Sequence, residues 1–263
     1  MLLEVKNLSI SYGDRLTVAN ANIELDKGEI LAIVGESGSG KTTVIRAIMG
    51  CLPGAGRISD GSIIFKGKDI AHNSLQEWKK LAGRDMSMIF QDSGNMINPI
   101  RKIGEQFVDY IAVHAPGKSK DEAYNLAINM LERMRLANAP NIMNSYPFEL
   151  SGGMRQRVGI AMAMTFKPDI LLADEPTSAL DVTTQAQIVR QIVDVRNEDH
   201  AAVIIVTHNL GVASYMANKI VVMKNGHIVE SGPREEVIYN PQDDYTKELL
   251  KAVPTIGGER YVC

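Results

Sequence analysis

At 263 residues the chain can bury a sizeable core, as one large domain or two modest ones. Apolar residues at 45% and charged residues at 22% are ordinary for a globular protein, and 28 Lys and Arg against 31 Asp and Glu leave a formal charge of −3. That balance offers no basic field to hold nucleic acid through its phosphates.

The opening LLEVKNLSISY alternates apolar and polar residues and reads as a half-exposed strand, as do NIELDKGE and, further on, GSIIFKGKDI. Between them ILAIVG is apolar throughout, like a strand covered on both faces. It runs into GESGSGKT at residues 35–42, and a helical pattern, TTVIRAIMG, follows. From residue 92 to 147 no such strand recurs; Tyr124, Ala127, Leu131 and Met134 repeat at helical spacing, which predicts a helical insertion. LSGGMRQR (150–157) then opens another helix, MRQRVGIAMAM. Two more buried strands, ILLAD and AVIIVTH, flank the helical TTQAQIVRQIVDVR, and GGERYVC closes the chain as a loose tail. Buried strands alternating with helices predict a parallel α/β sheet, with the amphipathic strands at the start as an antiparallel side layer.

Cys51 and Cys263 lie in no metal-ligand spacing and point to a reducing compartment, Cys51 reading as a small core residue. The amino terminus is not composed like a signal peptide, and the longest apolar runs fall far short of a membrane span. The expected location is therefore cytosolic, at most held at a membrane by other chains.

GESGSGKT satisfies GxxxxGK[ST] in the strand-to-helix context that the motif requires. Gly35, Gly38 and Gly40 let backbone N–H groups curl around a phosphate, Lys41 reaches the β- and γ-phosphates, and Thr42 ligates Mg²⁺. Glu36, Ser37, Ser39 and Thr43 complete the cradle. ILLADEP ends an apolar strand on Asp174, expected on the same sheet edge and able to hold Mg²⁺, and Glu175 follows as a candidate to polarise water. ATP is favoured over GTP because Val221 stands where a guanine-reading NKxD would carry its Asp. The two adjacent glycines of LSGGMRQR would also let backbone approach a phosphate, a second reader in a chain that already has one.

With these motifs the chain resembles an ATP-binding cassette (ABC) ATPase over nearly its full length. GESGSGKT is similar to the Walker A loop, LSGGMRQR to the signature, ILLADEP to the Walker B strand and SALD, with Asp181, to the D-loop. Gln91 in MIFQDS matches the Q-loop glutamine, His208 in IVTHNL the switch histidine, and Tyr12 in SISYG the aromatic that stacks on adenine. The resemblance implies a RecA-like P-loop core (residues 1–91 and 166–245) with a β layer, a helical subdomain (92–165) carrying the signature, and a tail from 246.

It further implies that two cassettes face head to tail, so that Ser151, Gly152 and Gly153 cover the ATP held by a partner. Glu175 would orient water, His208 would support it, and Gln91 would ligate Mg²⁺ and report to the helical subdomain. Relatives acting in DNA repair or on ribosomes are disfavoured by the short helical segment and the single cassette. MSMIFQDSGNMINPIRKIGEQ, SYPFELSGGMRQRVGIAMAM and GPREEVIYNPQDDYTKELLKAVP resemble the dipeptide, oligopeptide and nickel importer branch. Ser93 and the pair Asp243 and Asp244 depart from that branch's common proline and His-Pro. Because the chain stops at Cys263, no iron–sulfur cluster is expected. Implied partners are a paralogous ATPase, two permeases and an extracytoplasmic binding protein, at the cytoplasmic face of the membrane and with no nucleic acid.

Overall fold

Runs of β-branched residues decide where the buried strands lie. The computed structural model describes residues 1–91, 96–178 and 180–251, with the backbone of 255–256 and 259–260. In chain order the first elements are β1 (Leu3–Tyr12), β2 (Arg15–Leu25), β3 (Ile30–Val34), α1 (Lys41–Ile48), β4 (Gly56–Phe65), β5 (Lys68–Asp69), α2 (Leu75–Leu81) and β6 (Met86–Ile89). Helices α3 (Ile103–His114), α4 (Lys120–Arg133), α5 (Ala139–Asn144) and α6 (Gly152–Met164) follow, then β7 (Ile170–Asp174) and α7 (Val182–Asp199). The remaining elements are β8 (Ala202–Thr207), α8 (Leu210–Met216), β9 (Lys219–Lys224), β10 (His227–Pro233), α9 (Arg234–Tyr239) and α10 (Asp244–Lys251). The chain divides into two compact units, residues 1–80 with 202–263, and residues 81–201.

In the first unit β8 and β9 lie parallel on either side of β3, and β10 pairs antiparallel with β9. Every residue of β3 and β8 is buried. That is why their sequences are unbroken apolar runs: neither face meets water. The amphipathic strands form the antiparallel layer, with β1 paired to β2 on one side and to β4 on the other. Their alternating burial follows the two-residue strand period.

The second unit holds the parallel pair β6 and β7 and a group of helices. A capping box starts α4: Ser119 Oγ accepts from the Glu122 N–H at 3.2 Å, and the Glu122 carboxylate accepts from the Ser119 N–H at 2.8 Å. Ala123, Ala127, Met130 and Leu131 form its buried stripe. Ala127, Leu131 and Met134 are buried as their spacing predicts, but Tyr124 is 36% exposed and Ala123 takes the inward position. Arg133 joins the end of α4 to that of α7, donating to Glu198 at 2.8 Å and to Asp199 at 3.0 Å, and Lys167 reaches Asp199 at 3.2 Å. The Asp199 side chain is only 1% exposed, and these two cations from different segments compensate its buried charge.

Cys51 is exposed, not a core residue. Helix α1 ends in a Schellman motif: Gly50 turns left-handed at φ +67°, its N–H donates to Ala47 O, and the Cys51 N–H donates back to Arg46 O at 2.9 Å. That turn carries Cys51 off the helix's buried face. Ser93 and most of the tail GGERYVC lie outside the described residues. Among the described residues no helix is long and apolar enough to cross a membrane.

Candidate active site

The first unit carries the glycine-rich loop between β3 and α1. Gly35 sits at φ +146°, and a Cβ there would stand 2.1 Å from Met223 O on β9, so only hydrogen fits. Beyond it the loop closes on itself: the Ser39 N–H donates to Glu36 O at 3.2 Å, and the Gly226 N–H holds Ser39 O at 3.0 Å. Gly40, left-handed at φ +101°, caps α1 and contributes no side-chain acceptor. No side chain therefore stands across the start of the helix, whose first turn, with Thr42 and Thr43, presents its positive end to the loop. Glu36, Ser37 and Gly38 form an exposed mouth, where a side chain at Gly38 would meet nothing within 4 Å.

Lys41 is only 4% exposed. Its ammonium donates to Gly35 O at 2.8 Å, Glu36 O at 2.6 Å and Ser39 Oγ at 3.4 Å. A buried cation held by neutral carbonyl dipoles is poised to exchange them for a charged acceptor, because charge-assisted hydrogen bonds are about twice as strong. Glycine cradle, open mouth, uncapped helix and lysine together fit the phosphates of a nucleotide.

His208 follows β8 directly. Because β8 runs parallel to β3 with Thr207 opposite Val34, His208 and Gly35 leave neighbouring strands at the same edge. The turn is fixed locally: Thr207 Oγ1 accepts from the Asn209 N–H at 3.0 Å, and Asn209 Oδ1 caps α8 through the Gly211 N–H at 2.9 Å. Tyr12 ends β1 in the antiparallel layer, half-buried, with its ring over Gly56, where a Cβ would stand 2.7 Å from ring Cε1.

The second unit carries the carboxylates. Strand β7 is buried throughout and ends on Asp174, which is 0% exposed. Glu175 turns left-handed at φ +43°, an uncommon conformation for a residue with a side chain, and leads out of the strand half-buried. Since β6 pairs parallel with β7, with Ile89 opposite Ala173, the chain leaving β6 brings Gln91 to the same edge. There Gln91 Nε2 donates to Glu175 Oε2 across a long 3.4 Å. So the structure joins two predicted residues that are 84 positions apart.

Ser151 caps α6, its Oγ accepting from the Met154 N–H at 3.3 Å, and it remains exposed beside Gly152. A Cβ on Gly152 would find ordinary contact, but one on Gly153 would stand 2.7 Å from Thr184 Cγ2 on α7. Gly153 is therefore required by packing inside this chain, quite apart from any ligand. Asp181 caps α7, accepting from the Thr184 N–H at 3.0 Å and Thr184 Oγ1 at 2.7 Å, and the Thr184 hydroxyl bond holds its carboxyl below the usual range. The signature and Asp181 are brought together by Gly153 and Thr184.

Gln156 escaped the sequence reading as a functional position. It is buried, and its Nε2 donates to Pro176 O at 2.8 Å, which ties α6 to the turn that follows Glu175. A local signal exists: Gln156 lies four residues before buried Ile160, a polar side chain on the apolar stripe.

The profile of the family described as ABC transporter matches residues 18–178. The dipeptide transport ATP-binding protein DppD of Lactococcus lactis is 41% identical over 97% of this chain and 74% of its own. The oligopeptide transport ATP-binding protein OppD of Bacillus subtilis is 43% identical over 97% of this chain and 72% of its own. Among solved structures, the dimeric ATP-binding cassette MJ0796 in a post-hydrolysis state with ADP and Pi superposes with a TM-score of 0.78 at 27% identity, over 89% of this chain and 99% of that one.

Proposed function

The chain belongs to the ABC transporter family, and on that premise we propose that it is the ATP-hydrolysing subunit of an importer for small peptides. The observation that carries the ATPase reading is the loop at residues 35–42, with a buried lysine at the uncapped start of α1. The peptide reading is supported by relatives named for dipeptide and oligopeptide transport, similar along 97% of the chain.

In this reading the loop amides from residues 37 to 43 wrap the phosphates, and Lys41 leaves its carbonyls for the β- and γ-oxygens. Thr42, Gln91 and Asp174 are the side chains that would hold Mg²⁺, a hard-oxygen set with one carboxylate. When bound, that ion supplies neutralisation of the phosphate charge. Glu175 accepts a proton from and orients the attacking water, a contribution of about 10²–10⁴ in rate. Gln91 already touches Glu175, so it is suited to sense the state of that carboxylate. His208 supports the water and γ-phosphate, and Tyr12 offers its ring to the adenine. Ser151, Gly152, Gly153 and Asp181 act on nucleotide held by a partner, a paralogous cassette. Two permeases and an extracytoplasmic binding protein complete the complex, which this subunit joins from the cytoplasmic side.

The test is uptake by the assembled complex in proteoliposomes, with ATP inside and labelled dipeptide, oligopeptide or nickel chelate outside. Peptide uptake that requires ATP, and is lost in Glu175→Gln while ATP binding remains, is the expected result. Uptake of nickel alone, or undiminished hydrolysis in Glu175→Gln, overturns the cargo or the base assignment respectively.

A further inference from the structure

The peptide plane that opens the phosphate loop, Gly35–Glu36, is gripped at both ends. Its carbonyl, Gly35 O, accepts from Lys41 Nζ at 2.8 Å. Its N–H, that of Glu36, donates to the Tyr245 hydroxyl at 2.9 Å. These partners differ in kind. Lys41 is the group that phosphate draws away, whereas Tyr245 comes from α10, a helix with no other role in the site.

Tyr245 is set firmly for this contact. It is 5% exposed, and the Lys224 ammonium lies 4.4 Å over its ring. Asp243 caps the helix, its Oδ1 accepting from the Tyr245 N–H at 2.9 Å and from the Thr246 N–H at 3.4 Å. The segment before it is clamped to β10, where the Glu230 carboxylate accepts from the Gln242 N–H at 2.8 Å and the Asp243 N–H at 3.2 Å. Burial pushes the pKa of the Tyr245 hydroxyl up, and the Glu36 carboxylate adds to that against the opposing pull of the Glu36 N–H, so it stays neutral and protonated at physiological pH.

We propose that Tyr245 is a positioning residue for ATP binding: its hydroxyl holds the Gly35–Glu36 peptide plane while Lys41 exchanges the loop carbonyls for phosphate. This rests on reading residues 35–42 as the ATP phosphate loop. Without the hydroxyl, the departure of Lys41 releases the plane entirely, and ATP must then order a loose loop. Preorganisation of this kind appears in affinity and leaves the chemistry of the bound state nearly untouched.

Tyr245→Phe keeps the ring, its packing and the Lys224 contact, and removes only the acceptor. In the assembled complex it should raise KM for ATP about fivefold, the equivalent of one net hydrogen bond, with kcat held within about twofold. In the nucleotide-free full-length chain the Glu36 amide should exchange with solvent about fivefold to tenfold faster by mass spectrometry or NMR. Leu250→Ala, on the same helix and 1% exposed, separates this from general loosening of α10 because it opens a cavity under the helix. It should lower the melting temperature and leave KM for ATP at the wild-type value.

An unchanged KM in Tyr245→Phe overturns the proposal. So does a KM raised equally by Leu250→Ala, or a fall in kcat with KM unchanged. Lys41→Ala keeps this inference apart from the reading beneath it. If Lys41→Ala abolishes ATP binding and Tyr245→Phe does nothing, only the role of Tyr245 fails. If Lys41→Ala binds ATP normally, the phosphate-loop reading itself falls.

Discussion

Two glycine-rich segments run into helices in this chain, and they treat the helix start in opposite ways. At α1 the cap is left-handed Gly40, which contributes no side chain, and the next residue is a buried lysine. At α6 the cap is Ser151, whose hydroxyl already accepts from the Met154 N–H; the residue directly after the glycines is Met154, and Arg155 beyond it turns back to donate to Leu150 O at 2.7 Å. The first segment is built to retain phosphate: its loop is closed by internal hydrogen bonds, and its charge is shielded from water. The second is exposed, and the first turn of its helix already has a side-chain cap. A site that must hold its ligand through a catalytic cycle needs its own cation. A site that meets a ligand brought by another chain needs an open, self-supporting surface.

The largest effect expected from breaking this contrast is at Lys41. Lys41→Ala removes a charge-assisted partner of the phosphates, so ATP affinity should fall about 100-fold or more, with hydrolysis falling alongside. Titration with a fluorescent ATP analogue measures it, and near-normal binding would remove the distinction between the two segments. Ser151→Arg comes next. The isolated chain should bind ATP as well as wild type, while hydrolysis in the assembled complex drops about 100-fold, because in the proposed head-to-tail arrangement a bulky cation would replace the small hydroxyl presented to a partner's nucleotide. Loss of ATP binding by the folded, isolated chain would mean that the signature acts within one chain.

Smaller effects concern stability. Gly153→Ala places a Cβ 2.7 Å from Thr184 Cγ2 and should destabilise the fold by about 1–3 kcal/mol in urea. Thr184→Ser removes that methyl and keeps the hydroxyl that serves Asp181, so the double variant should recover most of the loss. Absence of rescue would show that the Thr184 methyl is not what excludes a side chain at residue 153. Smallest is Ser151→Ala, which loses the α6 cap at about 1 kcal/mol, read as a lower urea midpoint at constant slope.

Much of the fold was legible because burial on both faces leaves a one-dimensional trace. ILAIV, ILLA and AVIIV are unbroken apolar runs, and all three lie in fully buried strands. The glycine loop at residues 35–42 was equally legible as a turn between strand and helix, since its shape is made by backbone geometry between adjacent elements, with Gly35, Gly38 and Gly40 all at positive φ. Cys51 was misread because apolar character says nothing of where a helix ends: Gly50 turns the chain before Cys51 can continue the buried face. Tyr124 was misread because Ala123 satisfies the same stripe one position earlier.

What the sequence determined by itself was therefore local: which runs are strands, which loop can wrap a phosphate, and which residue types stand ready to serve it. Tertiary structure alone decided the pairings between distant positions. Gln91 meets Glu175 because two parallel strands share an edge, Gln156 holds Pro176 because α6 turns that face inward, and Tyr245 reaches Glu36 across 209 residues. A hydrogen bond requires a donor and an acceptor within about 3 Å at a favourable angle. Chain order carries no record of that distance once strands and helices have folded back on one another.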